Sequence, residues 1–369
     1  MRRSQSGMTL VEIMIAAVIG LIGIVVIMQV YALSESRRRT TTSGADAQSN
    51  GNIALYGIVR DLQQSGYGVS LESFGCTVNT SFNGDLANPG PFALAPVAIT
   101  DGGIDGSGHA MPDTLRILYS TAAVVSKPDI LTVSHAQTDT LVNMRASLGI
   151  AANSLVVFWE AGKECALAQV TGFPDNPGVL TNNTQLGHAG GSPWNNSAVF
   201  PGSGYSANSM LLNMGGMALR SYAVDIVNNN LQLLEVSANF AGAPSTTFLV
   251  ASEIVNLQAQ YGKDTGVHAG HVAGDNIVDV WDNVLPASGA GGPAVSNPWG
   301  QVVAVRLAIL ARAGQFEKPS TPGGACEATT TPPTWIGGTM AVPGGLPSCY
   351  RYKLFETIVP LRNVLWGWS

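Results

Sequence analysis

From Ile13 to Leu33 the chain runs for about 21 residues without a charge, and nearly all of them are apolar. As an α-helix rising 1.5 Å per residue, that run spans about 30 Å, the thickness of a bilayer's hydrocarbon core. The residue that opens it is an acid, Glu12, and two arginines, Arg2 and Arg3, lie ahead of it. A secretory signal would have a shorter apolar core of roughly 7–15 residues, closed by a small-x-small cleavage site. No such site occurs before the Ser34-Glu35-Ser36-Arg37 boundary. A plain anchor accounts for the length but not for Glu12, because a carboxylate inside a membrane must be neutralised, hydrated or paired. The feature to be explained is therefore a membrane-length helix that begins on an acid.

The stretch Gly7-Met8-Thr9-Leu10-Val11-Glu12 resembles the N-terminus of type IV prepilins. The resemblance implies a basic leader, residues 1–7, removed by a prepilin peptidase between Gly7 and Met8, with N-methylation of Met8. The family usually has Phe where this chain has Met8. Cleavage would create an α-amine on Met8, and a neighbouring subunit staggered along a fibre could set that amine beside Glu12. Such a pair is desolvated, so a missing partner is costly and the pair acts as a register device. Gly20 and Gly23 weaken the helix and permit close helix packing; ordinary tolerance of Gly in membrane helices explains them equally well.

Only 11% of the 369 residues are charged, against roughly 25% in a typical globular protein. The 43 Gly and 20 Pro, with abundant Ser, Thr and Asn, predict short strands joined by many turns. The net charge of −6 and the absence of a basic tract longer than Arg37-Arg38-Arg39 argue against nucleic-acid binding. Those arginines compete with Arg2 and Arg3 for the cytoplasmic side, but long domains translocate largely regardless of such charges. The leader is therefore placed in the cytoplasm and the head beyond the inner membrane, in the periplasm. Arg37–Arg39 could also meet anionic headgroups.

The expected fold class is α+β: a long N-terminal helix, residues 8–68 with 8–33 in the membrane or fibre core, backing a β-rich, mainly antiparallel head, residues 69–369. Ala54 or Leu55, Ile58 and Leu62 recur at helical spacing and predict the stripe that meets the head. Gly66 suits a C-terminal cap, and Thr40–Gly44 is a place where the helix could kink. Strands are expected at Thr114–Ser120, Ile130–Ser134, Ser154–Trp159, Ala166–Thr171, Ser209–Asn213, Ala218–Asp225, Leu231–Val236 and Val255–Tyr261. Gln301–Ala313 alternates as a half-buried strand would, and Tyr350–Leu361 places Phe355, Thr357, Val359 and Leu361 on one face.

Four cysteines with no CxxC or metal-like spacing, behind an export-type N-terminus, predict two disulfides. Cys326 and Cys349 are close in sequence and bracket a Pro/Gly/Thr-rich segment, which pairs them and leaves Cys76 for Cys165. Four buried thiols are the alternative. His268 and His271, with Asp264, Asp275, Asp279 and Asp282 nearby, form a weak candidate metal or calcium loop that lacks the D-x-D-x-D-G spacing. Loop solvation is the simpler reading, and neither a metal nor a cofactor is expected. No G-x-S-x-G, H-E-x-x-H or Walker A motif occurs, so no catalytic residue is assigned. Trp366 and Trp368 near the C-terminus suit either an interface or the sheet.

Four stretches narrow the resemblance to PilW-type minor pilins. They are Gln48–Ala54 running into Val59–Tyr67, Ile254–Asp264, Val303–Arg312 and Arg351–Asn363. The resemblance implies a structural subunit that joins other minor pilins, primes type IV pilus assembly and stays at the fibre tip, where an adhesin could also sit. A type II secretion pseudopilin and a membrane-anchored surface binding protein are the alternatives.

Overall fold

A computed structural model describes residues 8–123, 128–147, 149–175, 183–240, 242–267, 270–284, 297–317, 319, 323–326, 328–342, 344–345 and 349–366, without the side chains of residues 36, 39, 40 and 43. One helix dominates it. Helix α1 runs from Leu10 to Gln64, 55 residues, or about 80 Å. It passes through Thr40–Gly44 without a break. Residues of poor propensity there cost up to about 1 kcal/mol each, but none is Pro, and a turn flanked by formed helix carries no nucleation penalty. The Thr41 hydroxyl also donates back to the Arg37 carbonyl at 3.0 Å. The helix stops at Ser65, and Gly66 follows at φ +74°, a left-handed geometry that Gly adopts without strain.

The strands follow in chain order: β1 (Thr77–Asn79), β2 (Phe92–Ala93), β3 (Val97–Thr100), β4 (Thr114–Tyr119), β5 (Asp129–Ile130), β6 (Leu141–Asn143) and β7 (Leu155–Trp159). Then come β8 (Cys165–Gln169), β9 (Gln185–Gly187), β10 (Met210–Gly215), β11 (Ala218–Asp225), β12 (Asn230–Val236) and β13 (Ser245–Ser252). The last are β14 (Ile254–Lys263), β15 (Val280–Asp282), β16 (Val302–Arg312), β17 (Thr334–Trp335), β18 (Gly338–Thr339) and β19 (Tyr352–Pro360), before a short helix α2 (Arg362–Leu365). Three sheets carry the head, ordered β2-β1-β8-β7-β10-β5, β13-β12-β11-β4-β3 and β15-β14-β16-β19. Among these strands only β1 and β8 pair in parallel. The fold is α+β and mostly antiparallel.

The second half of α1 is the centre of the head. Ala54, Ile58 and Leu62 are fully buried, with Ala47 and Leu361, against Tyr222 and Leu231 of the five-stranded sheet and Leu307, Ile309 and Phe355 of the four-stranded one. Gly51 is required where the helix crosses β19, because a Cβ there would collide with the Phe355 ring. On the opposite face of the five-stranded sheet, Leu118, Leu219 and Val236 lie in register across three strands. They pack on Val157, Leu167 and Leu212 of the six-stranded sheet.

Strand β16 departs from the half-buried expectation. Its burial is nearly continuous because α1 covers one face while Trp335, Met340 and Val342 cover the other. A central strand sheltered on both sides has no polar face to display.

Candidate functional site

The N-terminal half of α1 is bare. From Met8 to Ser34 every residue is exposed, and the apolar helix Leu10–Glu35 is long enough to cross a membrane. An apolar surface of that extent is stable only in lipid or against other helices. Among the described residues nothing lies within 4 Å of a Cβ added at Gly20 or Gly23.

Glu12 lies in the first turn of this helix and already has a local partner. Thr9 is the N-cap. Its N–H donates to Glu12 Oε2 at 2.9 Å and its hydroxyl to the same oxygen at 3.1 Å, while the Glu12 N–H donates to Thr9 Oγ1 at 3.4 Å. This reciprocal arrangement satisfies two amide groups that a helix start leaves without acceptors. The Thr9-x-x-Glu12 spacing is the sequence signal for this cap. Met8 is exposed beside it, and Gly7 lies outside the described residues.

At the other end of α1, a polar network ties the helix to the head. Asp61 is buried, and its carboxylate accepts from Arg220 at 2.7 Å and from the Tyr222 hydroxyl at 2.6 Å, with the Tyr119 hydroxyl at 3.4 Å. Arg220 also donates to Glu235 at 2.9 Å and lies over the Tyr119 ring. Burial, then the charge of Asp61, pushes the hydroxyl pKa of both tyrosines up, so they stay donors. Asn363 continues the clamp by donating to the carbonyls of Gln64 and Ser65 at 3.2 and 3.0 Å.

The cysteines form two bonds, Cys76–Cys165 and Cys326–Cys349. The first joins the start of the head to β8. The second closes the loop that carries β17 and β18 over the outer face of β16.

In the acidic loop the carboxylates hold backbone amides. Asp264 accepts from the amides of Gly274 and Asn276, and Asp279 from those of Thr265 and Gly266. Asp282 pairs with Lys263 at 2.6 Å, and His271 faces Asp275 at 3.4 Å. His268 lies outside the described residues. Among the described residues no three His, Cys, Asp or Glu side chains converge on a metal position. An open cleft of about 720 Å³ beside this sheet includes Asp105, Ser107 and His109. There Asp105 accepts from the amides of Ser107 and His109, committing it to its own turn.

A buried histidine pair was missed from sequence because its members lie 53 residues apart. His135 Nε2 and His188 Nε2 are 2.9 Å apart, packed among Phe158 and Phe200. Burial, then the His135 ring, lowers the His188 pKa from 6.5 to about 4, opposed by a backbone hydrogen bond and then by the charge of Asp139. The unfolded chain therefore binds a proton that the folded one refuses, and stability falls as pH drops from 6.5 to about 4. At about 1.4 kcal/mol per pH unit the loss amounts to about 3 kcal/mol. Asp113, whose pKa burial pushes up to about 6, acts with the opposite sign in the same range. The check is therefore a difference: denaturant unfolding of wild type minus His188→Gln across pH 4–7. That difference is expected to turn against wild type as pH falls; a flat one contradicts the buried neutral pair.

These elements meet two known sequence families. Residues 2–28 match the prokaryotic N-terminal methylation motif, which defines a prepilin-type N-terminus. Residues 221–363, from β11 through α2, match the family described as Type IV Pilus-assembly protein W. Together the matches support a PilW-type pilin related to the type IV pilus, and the methylation motif with its apolar helix fits a membrane-anchored one. No curated protein and no solved structure matches the chain. The PilW match takes in α1's partners on both sides, β11–β13 and the whole four-stranded sheet. It leaves out the six-stranded sheet and its histidine pair.

Proposed function

We propose that the protein is a minor pilin, a structural subunit with no catalytic role. In this reading it is inserted in the inner membrane with its head in the periplasm, cut between Gly7 and Met8 and methylated on Met8. It then joins other minor pilins to prime type IV pilus assembly and remains at the surface-exposed tip. The observation that carries the proposal is the division of α1. Its first half presents an almost wholly apolar surface to the surroundings, and its second half is fastened into the head by the Asp61 network and the Ala54–Leu62 stripe. That layout suits a subunit held by its helix in a bundle of like helices. The size of the head supports the tip, since three sheets on one helix crowd a fibre wall more than its end.

A type II secretion pseudopilin would share the anchor and the processing. Deleting the gene in the producing cell separates the two. The pilus reading expects loss of twitching and of surface pili with enzyme secretion unchanged, and the reverse outcome would assign the protein to secretion.

A further inference from the structure

Among the described residues each of the three larger sheets has two edges, and five of those six edges are short or carry charges and a proline. Strands β2 and β5 have two residues each, β15 three and β3 four. Strand β19 has nine but carries Lys353, Glu356 and Pro360. Short strands, charges and proline are the devices that keep a sheet edge from pairing with another chain. The exception is β13, Ser245-Thr246-Thr247-Phe248-Leu249-Val250-Ala251-Ser252, eight residues without a charge or a proline. It pairs with β12 on one side, from Ser245↔Val236 to Ser252↔Asn230. On its other side, among the described residues, no backbone hydrogen bond reaches it. Its register shift falls beside Val250, so Ser245–Leu249 is regular strand.

The apolar surroundings of this edge are also open. Leu249 is 62% exposed, Phe248 43% and, on the adjoining strand, Leu234 40%. Val250 packs against the core that holds Ala54 and Ile58 of α1, beside the exposed Ile53 and Tyr56. The open edge is thus continuous with the surface of the helix whose first half is bare.

We propose that β13 is an assembly edge, which receives an extended, uncharged strand from the head of a different pilin subunit; this rests on the pilin reading above. The unpaired amides and carbonyls call for a strand, and the lack of charge on β13 calls for an uncharged one. The orientation of α1 decides against antiparallel pairing of β13 with its own copy, and the other edges of the three larger sheets are short or carry charges and a proline. Antiparallel pairing of β13 with itself places a two-fold axis normal to the sheet. Because α1 lies along the face of that sheet, the axis would point the two helices in opposite directions. Chains anchored in one membrane by the same N-terminal segment share one direction.

The test is a photo-cross-linking amino acid at Thr247, on the exposed edge, in the full chain within the pilus-producing cell. The expected product joins position 247 to a head peptide of a different protein that has its own N-terminal methylation motif. Leu249→Lys, with an unfolding midpoint within 2 °C of wild type, is expected to lower both the cross-link and recovery in sheared pili by about tenfold. A product with a second copy of this chain, no protein product, or full recovery of a folded Leu249→Lys chain would overturn the inference. Absence of the wild-type chain from sheared pili would overturn the pilus reading, and this inference with it.

Discussion

Replacing Glu12 with alanine is expected to leave the chain inserted, cleaved and folded but to lower its recovery in assembled pili by at least about a hundredfold. Removing an acid from the head of an apolar helix makes insertion easier. The head is built from residues far down α1, so it should fold as before. What is lost is the anion that would face the Met8 ammonium of a neighbour, a cation buried among helices with nothing else to meet it. The Thr9 capping box sharpens the test. In the single chain Glu12 is engaged by Thr9, so pairing with a neighbour's amine would share or exchange that hydrogen bond. Glu12→Gln keeps an oxygen for Thr9 without the charge. If the residue only caps the helix, Gln should restore incorporation. If it pairs with a cation, Gln should fail as Ala does. Immunoblots of sheared pili against membrane fractions would measure this, and normal incorporation of both variants would remove Glu12 from the assembly step.

Asp61→Ala is expected to cost the head about 3 kcal/mol, at the lower end of the range for breaking a buried ion pair. The lower end applies because Arg220 keeps Glu235 and is itself 28% exposed. Tyr222 loses the acceptor that its buried hydroxyl holds at 2.6 Å. At about 2–4 °C per kcal/mol, the melting temperature of a domain this size should fall by about 6–12 °C. Replacing both members, as Asp61→Asn with Arg220→Met, should cost less than the sum of those two single changes, since the buried Asp61 charge leaves together with its partner and only the less buried Glu235 loses its pair. Thermal melts of the four chains would show it. Additive losses would mean that Asp61 does not hold the helix through Arg220.

Local period made the long helix legible, and distance in sequence hid much of what holds it. The Ala54, Ile58 and Leu62 stripe and the Gly66 stop were readable because 3.6-residue spacing and a left-handed Gly are local signals. Asp61 was not, because its partner Arg220 lies 159 residues away and a charged residue at a helical position reads as solvated surface. The longer strands β4, β7, β10, β11, β12, β14, β16 and β19 were visible as β-branched or alternating runs. Strands of two to four residues, such as β1, β2 and β17, have no period to detect, and the strand expected at Ile130–Ser134 proves to be the two-residue β5, Asp129–Ile130. Strand β13 was overlooked for another reason. Its Ser-Thr-Thr start resembles a loop, and its Phe248 and Leu249 sit at an edge where both faces stay open, so no alternation marks it. The N-terminal site was the most legible part, through the order of Gly7, Met8, Thr9 and Glu12. The same order also holds the Thr9-x-x-Glu12 spacing of the helix cap.

Processing as a prepilin would be read from the intact mass of the protein extracted from membranes. The mature chain is expected to begin at Met8 and to carry one added methyl group on its amine. A mature chain that still includes residues 1–7 would contradict that processing.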